Sequence, residues 1–355
     1  MTAAREPAAG RIRVLVVDDS ATQRAALVAA LEGDPALVVA GWAGNGAEAV
    51  RAAALLRPDV ITMDLQMPVM DGLEATRRIM RETPTPIVMV TAHLRPDEQS
   101  LALEAIEAGV LTVVPTPGPS PRAVAKLVDV VKSMSQVKVI RRWTPERLRA
   151  GGQAPLQPAP GGSSTPPRVV GIGASTGGPP ALLQILSPLP RAFAPPVLVV
   201  QHIAAGFEGG LVDWLGRQCA LPVELAVAGR RLDRPGILIA PPGQHLVVRA
   251  GAIALVGDAP VGAHRPSATA LFQSLAAEYG PRAVGVLLTG MGDDGAAGLR
   301  DMKRRGATTI AQDEASSVVH AMPAAAIALG VVDRVLSPPE IAQALLALAR
   351  VAADR

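Results

Sequence analysis

Short runs of apolar residues alternate with longer stretches of mixed polarity along most of the chain. In the first third, the runs at 11–19, 58–64 and 86–92 predict strands that are buried on both faces, and 124–134 predicts a helix. Buried strands that alternate with helices are typical of a parallel sheet covered by helices. The pattern therefore predicts an α/β domain over residues 11–134.

The same alternation begins again at Arg168. Helices are predicted at 179–186, 268–279 and 323–329. Strands are predicted at 168–170, 196–200, 222–227, 237–240 and 283–289, and a hairpin is predicted from the strands at 246–249 and 253–256. We therefore expect a second domain over residues 168–355, with a doubly wound, mainly parallel α/β sheet.

The chain between the two domains has a different composition. Residues 135–167 pass from a basic segment into a stretch rich in Gly, Pro and Ser, which cannot bury a core. We expect a flexible linker here, with one short helix over 143–148.

Composition narrows the class of protein. The 355 residues include three Trp, three Phe and one Tyr, so aromatic side chains for stacking on bases are scarce, and a net charge of +3 is too small to indicate nucleic-acid binding. The single cysteine, Cys219, excludes an internal disulfide. The first ten residues lack the apolar core of a signal peptide, and no apolar run is long enough to span a membrane. We expect a cytoplasmic protein without membrane insertion.

Three carboxylates follow strands of the first domain. Asp18 and Asp19 end the strand at 11–19, and Asp64 ends the strand at 58–64. The carboxyl ends of parallel strands meet at one sheet edge, where such carboxylates repel one another unless a divalent cation joins them, and oxygen ligands suit Mg²⁺. The hydroxyl of Thr91, on the next strand, is placed to hold a phosphoryl oxygen. The alternative to a metal site is that these carboxylates are merely solvated at the sheet edge.

A glycine-rich turn opens the second domain. Residues 171–179 (GIGASTGGP) place Ser175 between a buried strand and a helix start, whose N–H groups can face developing negative charge. This is a suitable position for a nucleophilic serine. A dinucleotide-binding loop is one alternative, although its glycine spacing is one residue too long and the next strand ends in Gln201 and His202 instead of an acidic residue. A structural glycine-rich turn is the other.

A nucleophilic serine needs a base, and the base needs a carboxylate that orients it. Ser175, His202 and Asp294 each follow a predicted strand, so the carboxyl edge of one sheet could gather them. Asp293 is the neighbouring carboxylate, and His264 is a weaker alternative base.

Residues 11 to about 134 resemble the response-regulator receiver domain, through the Asp18 and Asp19 pair, Asp64, and the M-P and M-D-G motifs that follow it. The resemblance implies a flavodoxin-like fold, Asp64 as the phosphoacceptor, and Mg²⁺ held by the three carboxylates and the backbone carbonyl of Gln66. It also implies a chemotaxis histidine kinase as the phosphodonor.

The chain departs from this pattern at two positions. Thr116 stands where receiver domains carry a lysine, and Val113 replaces an aromatic residue. A threonine cannot supply the ammonium that joins the phosphoryl group to the acidic pair. We therefore expect Thr91 and Thr116 to form an altered switch with a weakened conformational relay.

Residues 168–350 resemble the catalytic domain of the chemotaxis protein-glutamate methylesterase/glutaminase family. The shared motifs are G-A-S-T-G-G-P at 173–179, Q-H at 201–202, A-P-P-G at 240–243, H-R-P-S at 264–267, L-T-G-M-G-x-D-G-A at 288–296 and A-Q-D-E-A-S at 311–316. The resemblance implies Ser175 as nucleophile, His202 as general base, Asp294 as its partner, and the backbone N–H groups of Met291 and Thr176 as oxyanion donors.

The resemblance implies a phosphorylation-linked serine esterase. Its substrates would be glutamyl methyl esters, and glutamines to be deamidated, on chemoreceptor cytoplasmic helices, without an organic cofactor. In this family the unphosphorylated receiver domain covers the catalytic cleft. A non-enzymatic response protein, whose second domain only binds a partner, is the main alternative, and a nucleotide-dependent oxidoreductase is a weaker one.

Overall fold

The structure is a computed structural model that describes residues 10–91, 104–118, 120–137, 167–204, 206–257, 259–262 and 264–350. The chain divides into two compact units, Met1–Ala150 and Gly151–Arg355. The helix expected at 143–148 and most of the expected linker at 135–167 lie outside the described residues, as does Ala92 at the end of one expected strand. The domain boundaries therefore stay predictions.

The first unit contains one parallel sheet of five strands in the order β2-β1-β3-β4-β5. Its elements are β1 (Ile12–Val17), α1 (Ala21–Glu32), β2 (Leu37–Ala43), α2 (Gly46–Leu56), β3 (Val60–Met63), α3 (Gly72–Glu82), β4 (Ile87–Thr91), β5 (Thr112–Pro115) and α4 (Pro121–Ser135), and residues 104–107 are also helical.

Local sequence signals explain where these elements begin. The central strands β3 and β4 are buried along their whole length, as their apolar runs predict. Helix α1 starts at Ser20, whose hydroxyl accepts from the Gln23 N–H, and α3 starts at Asp71, whose carboxylate accepts from the Glu74 N–H.

The strand order reverses between β1 and β3, so the carboxyl ends of these two strands flank the crevice where flavodoxin-like folds bind ligands.

The second unit contains a parallel sheet of seven strands in the order β14-β13-β12-β6-β7-β9-β8 and an antiparallel hairpin, β10-β11. Its elements are β6 (Val169–Ala174), α5 (Gly178–Leu186), β7 (Val197–Gln201), α6 (Glu208–Gly216), β8 (Val223–Leu225), β9 (Ile237–Ile239), β10 (His245–Arg249), β11 (Ala252–Val256), α7 (Ala268–Tyr279), a 3₁₀ turn (Gly280–Arg282), β12 (Ala283–Leu287), α8 (Ala296–Arg304), β13 (Thr308–Gln312), α9 (Ala321–Ala328), β14 (Arg334–Leu336) and α10 (Pro338–Arg350).

The first strand of this sheet, β6, lies between β7 and β12, so the order of the sheet reverses at its edge with β12. A crevice at such a reversal is the usual ligand site of a doubly wound fold. The predicted fold class, a receiver-type unit and a mainly parallel α/β unit, is confirmed.

Two glycines of β6 let helix α7 pack closely on the sheet. A Cβ added at Gly171 would lie 2.5 Å from Leu275 Cδ1, and one added at Gly173 would lie 2.6 Å from Ala268 Cβ. These glycines therefore serve helix packing, which removes the reason to interpret them as a dinucleotide fingerprint. Within the described part of the chain, no helix is long and apolar enough to cross a membrane.

Candidate active site

Ser175 and His202 follow neighbouring parallel strands. Ala174 at the end of β6 pairs with Gln201 at the end of β7, and the His202 N–H donates to the Ala174 carbonyl at 2.8 Å. Each candidate residue lies one position beyond this pair. Neighbouring strands are about 4.8 Å apart, so the two backbones are close enough for their side chains to meet above the sheet edge.

The loop after β12 adjoins Ser175 from the other side. The Ser175 N–H donates to the Thr289 carbonyl at 3.0 Å, and a Cβ added at Gly290 would lie 2.6 Å from Ser175 Cβ. Asp294 is farther along the same loop. The sheet therefore brings Ser175, His202 and Asp294 to the ends of three adjacent strands, as their sequence positions predict.

The turn that carries Ser175 is held from below by Gln201. Gln201 is buried, and its side-chain amide donates to the carbonyls of Ser175 at 2.7 Å and His202 at 2.9 Å. Gly177 adopts a left-handed φ of 76°, and a Cβ added at Gly178 would lie 2.0 Å from the Gln201 Oε1. Sequence reasoning missed this role of Gln201, although the Q-H motif contained it.

His202 points its outer ring nitrogen at Asp294. Nε2 lies 3.0 Å from Asp294 Oδ2, and the two side chains are 11% and 4% exposed. The angle at Nε2 lies outside regular hydrogen-bond geometry, but the contact still lowers the pKa of Asp294. The other nitrogen, Nδ1, is buried and has no hydrogen-bond partner among the residues that the structure describes.

Asp294 is fixed by the start of helix α7. Its Oδ1 accepts from the Ser267 hydroxyl at 2.7 Å and the Thr269 N–H at 3.0 Å, and its Oδ2 accepts from the Ala268 N–H at 2.7 Å. Burial raises the pKa of Asp294, but the His202 ring, Ser267 and Thr269 outweigh it and hold the pKa well below its usual range. The carboxylate is therefore an anion at neutral pH.

The neighbouring carboxylate, Asp293, is exposed. The contact with His202 thus involves Asp294, the carboxylate that directly precedes Gly295. The Gly295 N–H in turn donates to the Thr269 hydroxyl at 2.7 Å, which ties this loop to α7.

The two expected oxyanion donors are the N–H groups of Thr176, which follows Ser175, and of Met291, which follows Gly290. Across the described ranges, neither the Thr176 N–H nor the Met291 N–H donates to another residue of the chain. The Ser175 N–H, in contrast, is occupied by the Thr289 carbonyl. The Thr289 hydroxyl donates to the Thr176 carbonyl at 2.9 Å and accepts from the Val319 N–H at 2.9 Å, so it fixes the loop beside the serine.

The imidazole ring of His264 lies flat against that of His202. The ring centroids are 4.0 Å apart and the planes are 3° from parallel.

The only cysteine of the sequence is no rival nucleophile, since burial raises the pKa of Cys219 to about 11 and keeps its thiol protonated at neutral pH.

The acidic residues of the first unit also come together. Asp18, Asp19 and Asp64 each offer a carboxylate oxygen, and these oxygens lie within 4.8 Å of one another. Burial and the neighbouring Asp19 raise the pKa of Asp18, and the Ser20 N–H and Arg24 only partly offset this. Clustered oxygen ligands with unfavourable mutual repulsion fit a hard divalent cation such as Mg²⁺. Gln66 is exposed in the loop after β3, two residues beyond Asp64.

Two threonines lie at the same edge of this sheet. Thr91 ends β4 and is 6% exposed, and the Thr116 N–H donates to the Thr91 carbonyl at 2.9 Å. The hydroxyl oxygen of Thr116 is buried and makes no hydrogen bond within the described residues. Thr116, which stands where a lysine is expected, therefore lies next to Thr91, whose hydroxyl is predicted to bind a phosphoryl oxygen.

Comparisons with known proteins agree with these two units. A family described as CheB methylesterase matches residues 170–345, and the response regulator receiver domain family matches residues 14–127. Protein-glutamate methylesterase/protein-glutamine glutaminase 4 of Myxococcus xanthus is 47% identical over 340 residues, which cover 94% of this chain and 96% of the relative. The chain belongs to the protein-glutamate methylesterase/protein-glutamine glutaminase family.

Further comparisons support the assignment. Protein-glutamate methylesterase/protein-glutamine glutaminase 3 of Anaeromyxobacter dehalogenans is 49% identical over 344 residues, covering 94% of this chain and 98% of the relative. The crystal structure of the Thermotoga maritima CheB methylesterase catalytic domain is 34% identical with a TM-score of 0.50, and the match covers 52% of this chain and all of that one. The predicted family and the predicted class of enzyme are confirmed.

Proposed function

We propose that the chain is a serine esterase that hydrolyses glutamate methyl esters, and deamidates glutamines, on the cytoplasmic helices of chemoreceptors. The observation that carries the proposal is the contact between His202 and the anionic Asp294, beside Ser175 on the neighbouring strand end. The names of the relatives support the ester and amide substrates. The receiver unit supports control by phosphorylation.

The geometry of the histidine assigns a role to each ring nitrogen. Because Nε2 faces Asp294, Nδ1 is the nitrogen that takes the Ser175 hydroxyl proton. The serine Oγ then attacks the carbonyl carbon of the glutamyl ester, and Asp294 stabilises the imidazolium that forms. The negative charge of Asp294 beside Nε2 favours the tautomer that carries its proton on Nε2, which this step requires.

The negative charge that develops on the carbonyl oxygen needs donors that are already in place. The N–H groups of Thr176 and Met291 supply them in our proposal. Both are unoccupied among the described residues; Thr176 follows Ser175, and Met291 follows Gly290, whose added Cβ would lie 2.6 Å from Ser175 Cβ. The His202 imidazolium next gives its proton to the leaving group, and the C–O or C–N bond breaks to release methanol or ammonia. A water molecule, deprotonated by His202, hydrolyses the acyl-serine and restores the enzyme.

In the receiver unit we propose that Asp64 accepts a phosphoryl group from a histidine kinase. Asp18, Asp19, Asp64 and the backbone carbonyl of Gln66 would hold Mg²⁺, which when bound offsets the charge of the carboxylates and of the phosphoryl oxygens. The Thr91 hydroxyl would bind a phosphoryl oxygen, and the adjacent Thr116 offers only a hydroxyl where a cation is expected.

Methanol release from a methylated chemoreceptor fragment tests the proposal. We expect turnover by the full chain and a loss of roughly 10⁴-fold or more in kcat for Ser175→Ala and for His202→Ala. The double variant should be no worse than either single one, because the two residues act as a unit. Near-normal turnover by Ser175→Ala would contradict the covalent mechanism, and binding of the fragment without any turnover would favour the non-enzymatic alternative.

A further inference from the structure

We infer that His264 is a positioning residue that fixes the ring plane of His202. The inference rests on the proposed function and adds to it a residue of the catalytic machinery. It begins from the parallel stack of the two rings, with centroids 4.0 Å apart and planes within 3°.

The histidine ring is otherwise weakly restrained. Its Nε2 is 3.0 Å from Asp294 but is not aligned as a regular hydrogen bond, and its Nδ1 has no such bond among the described residues. A ring without aligned hydrogen bonds can turn about its Cβ–Cγ bond, a torsion with a broad energy profile. Some other contact must therefore hold the ring plane that keeps Nε2 towards Asp294.

The stack supplies that contact. Carbon atoms are at their best separation at about 3.5–4.0 Å, so two nearly parallel rings with centroids 4.0 Å apart are in van der Waals contact. If the His202 ring turned, its edge would move into His264. The ring therefore stays parallel to that of His264, with Nε2 towards Asp294.

The segment that carries His264 is itself fixed at both ends. The His264 N–H and carbonyl both pair with Val261, each at 3.2 Å. Three residues later, the Ser267 hydroxyl donates to Asp294 at 2.7 Å. One short segment thus contacts the base through His264 and the carboxylate through Ser267, which sets the position of one relative to the other.

The stack also matters during the reaction. When His202 takes the serine proton it becomes a cation that lies over the face of an aromatic ring, an attractive arrangement. This attraction exists only after proton transfer has begun, so it lowers the barrier without strengthening substrate binding. Loss of the stack should therefore lower kcat and leave KM nearly unchanged.

The test compares His264→Phe, which keeps a flat ring, with His264→Leu, which keeps only apolar volume. Methanol release from the methylated receptor fragment is measured for both, for the wild-type chain, and for Val261→Ala as the matched control from the same loop. We expect His264→Leu to lose about tenfold in kcat with KM within about twofold, and His264→Phe to stay within about threefold of wild type. Val261→Ala should match wild type, because its pairing with His264 involves only the backbone.

A second measurement separates this inference from the proposed function. Ring currents in the stack shift the NMR signal of the His202 Cε1 proton whether or not the enzyme turns over. We expect His264→Leu to move that signal and His264→Phe to keep most of the shift. An inactive wild-type chain with these NMR results would contradict only the proposed function. Wild-type kcat in His264→Leu would overturn the inference, as would equal losses in the Phe and Leu variants, which would indicate that His264 acts as a base or a hydrogen-bonding group.

Discussion

Asp294 is a buried anion whose charge is stabilised by the start of a helix. Its low pKa follows from the His202, Ser267 and Thr269 contacts, which outweigh the cost of burial. The folded-state pKa lies below the unfolded value, so the carboxylate contributes stability that is present above the unfolded value of 3.8 and is lost as pH falls further. The same network that prepares the carboxylate for catalysis thus also stabilises the fold.

We predict that the free energy of unfolding of the second unit falls by about 1 kcal/mol from this site as pH is lowered from about 5 to about 3, and that the loss continues below pH 3. Asp294→Asn should be less stable at neutral pH and should lose most of this pH dependence, because an amide cannot accept from all the donors around it. Urea unfolding at several pH values measures both effects. The exposed Asp293→Asn is the control, and an equal change in its pH profile would argue against Asp294 as the source.

Single residues differ in how well the sequence predicts their roles. Ser175, His202 and Asp294 follow predicted strands, and parallel strand ends must meet at one edge, so their proximity was predictable. The support given by Gln201 and Ser267 was not, because it depends on how the strand-to-helix turn and the start of α7 pack. The stack of His264 on His202 depends on the same packing, and nothing in the spacing of the two histidines indicates it.

At the scale of elements, the close packing of α7 on β6 connects stability with the site. Ala268 at the start of α7 is next to Gly173, and the same helix start donates to Asp294. Any shift of α7 away from β6 would therefore move the donors that hold the carboxylate.

We predict that Gly173→Ala destabilises the protein by about 1–3 kcal/mol and lowers kcat, because its Cβ would come within 2.6 Å of Ala268 Cβ and push α7 outward. Gly216→Ala is the matched control, since, apart from its chain neighbours and its own helix backbone, none of the described residues has an atom within 4 Å of its added Cβ, and its φ is not left-handed. Thermal unfolding and methanol release are measured for both. If Gly173→Ala behaves like Gly216→Ala, the close approach of α7 to β6 is wrong.

Hydrophobic runs predicted most strands, but not β2 and β5 of the first sheet or the two strands at one end of the second sheet. Strand β13 (TTIAQ) is buried along its whole length although three of its five residues are polar. Its polar groups find partners on other segments: the Thr309 hydroxyl donates to the Val331 carbonyl at 2.7 Å, and the Gln312 Oε1 accepts from the Thr289 N–H at 2.9 Å. Such partners come from distant parts of the chain, so the polarity pattern could not indicate burial. The three-residue strand β14 is too short to give a pattern.

At the scale of the whole molecule, the first unit is organised around its acidic cluster. Three carboxylates with oxygens within 4.8 Å of one another destabilise the metal-free fold through mutual repulsion. A cation that binds only the folded unit stabilises it in proportion to its saturation.

We predict that Mg²⁺ raises the unfolding temperature of the first unit, by an amount equivalent to about 2–3 kcal/mol when the ion is at a hundred times its dissociation constant. Asp18→Asn should raise the unfolding temperature without Mg²⁺ and abolish most of the Mg²⁺ effect. Asp129→Asn, an exposed carboxylate on α4, serves as the control. An Mg²⁺ shift that survives in Asp18→Asn would place the ion elsewhere.

Coupling between the two units is the property for which the family resemblance and this sequence differ. The resemblance implies that the unphosphorylated receiver unit covers the catalytic cleft and that phosphorylation opens it. Phosphorylation shifts such an equilibrium only as far as the phosphoryl group binds one state better than the other. Part of that difference is expected to come from a lysine, and here Thr116 offers a buried hydroxyl beside Thr91 instead.

We predict that a fragment starting near Pro167 is more active than the full chain, because removal of a cover needs no relay. A small phosphodonor with Mg²⁺ should stimulate the full chain only weakly, and Thr116→Lys should enlarge that stimulation by placing an ammonium beside Thr91. The initial rate of methanol release is compared for the three proteins with and without phosphodonor, and Thr116→Met, which adds length without charge, controls for side-chain size. If phosphodonor stimulates the unmodified chain as strongly as removal of the receiver unit does, another group has taken over the role of the lysine. If Thr116→Met responds like Thr116→Lys, the charge of the side chain is not what the relay lacks.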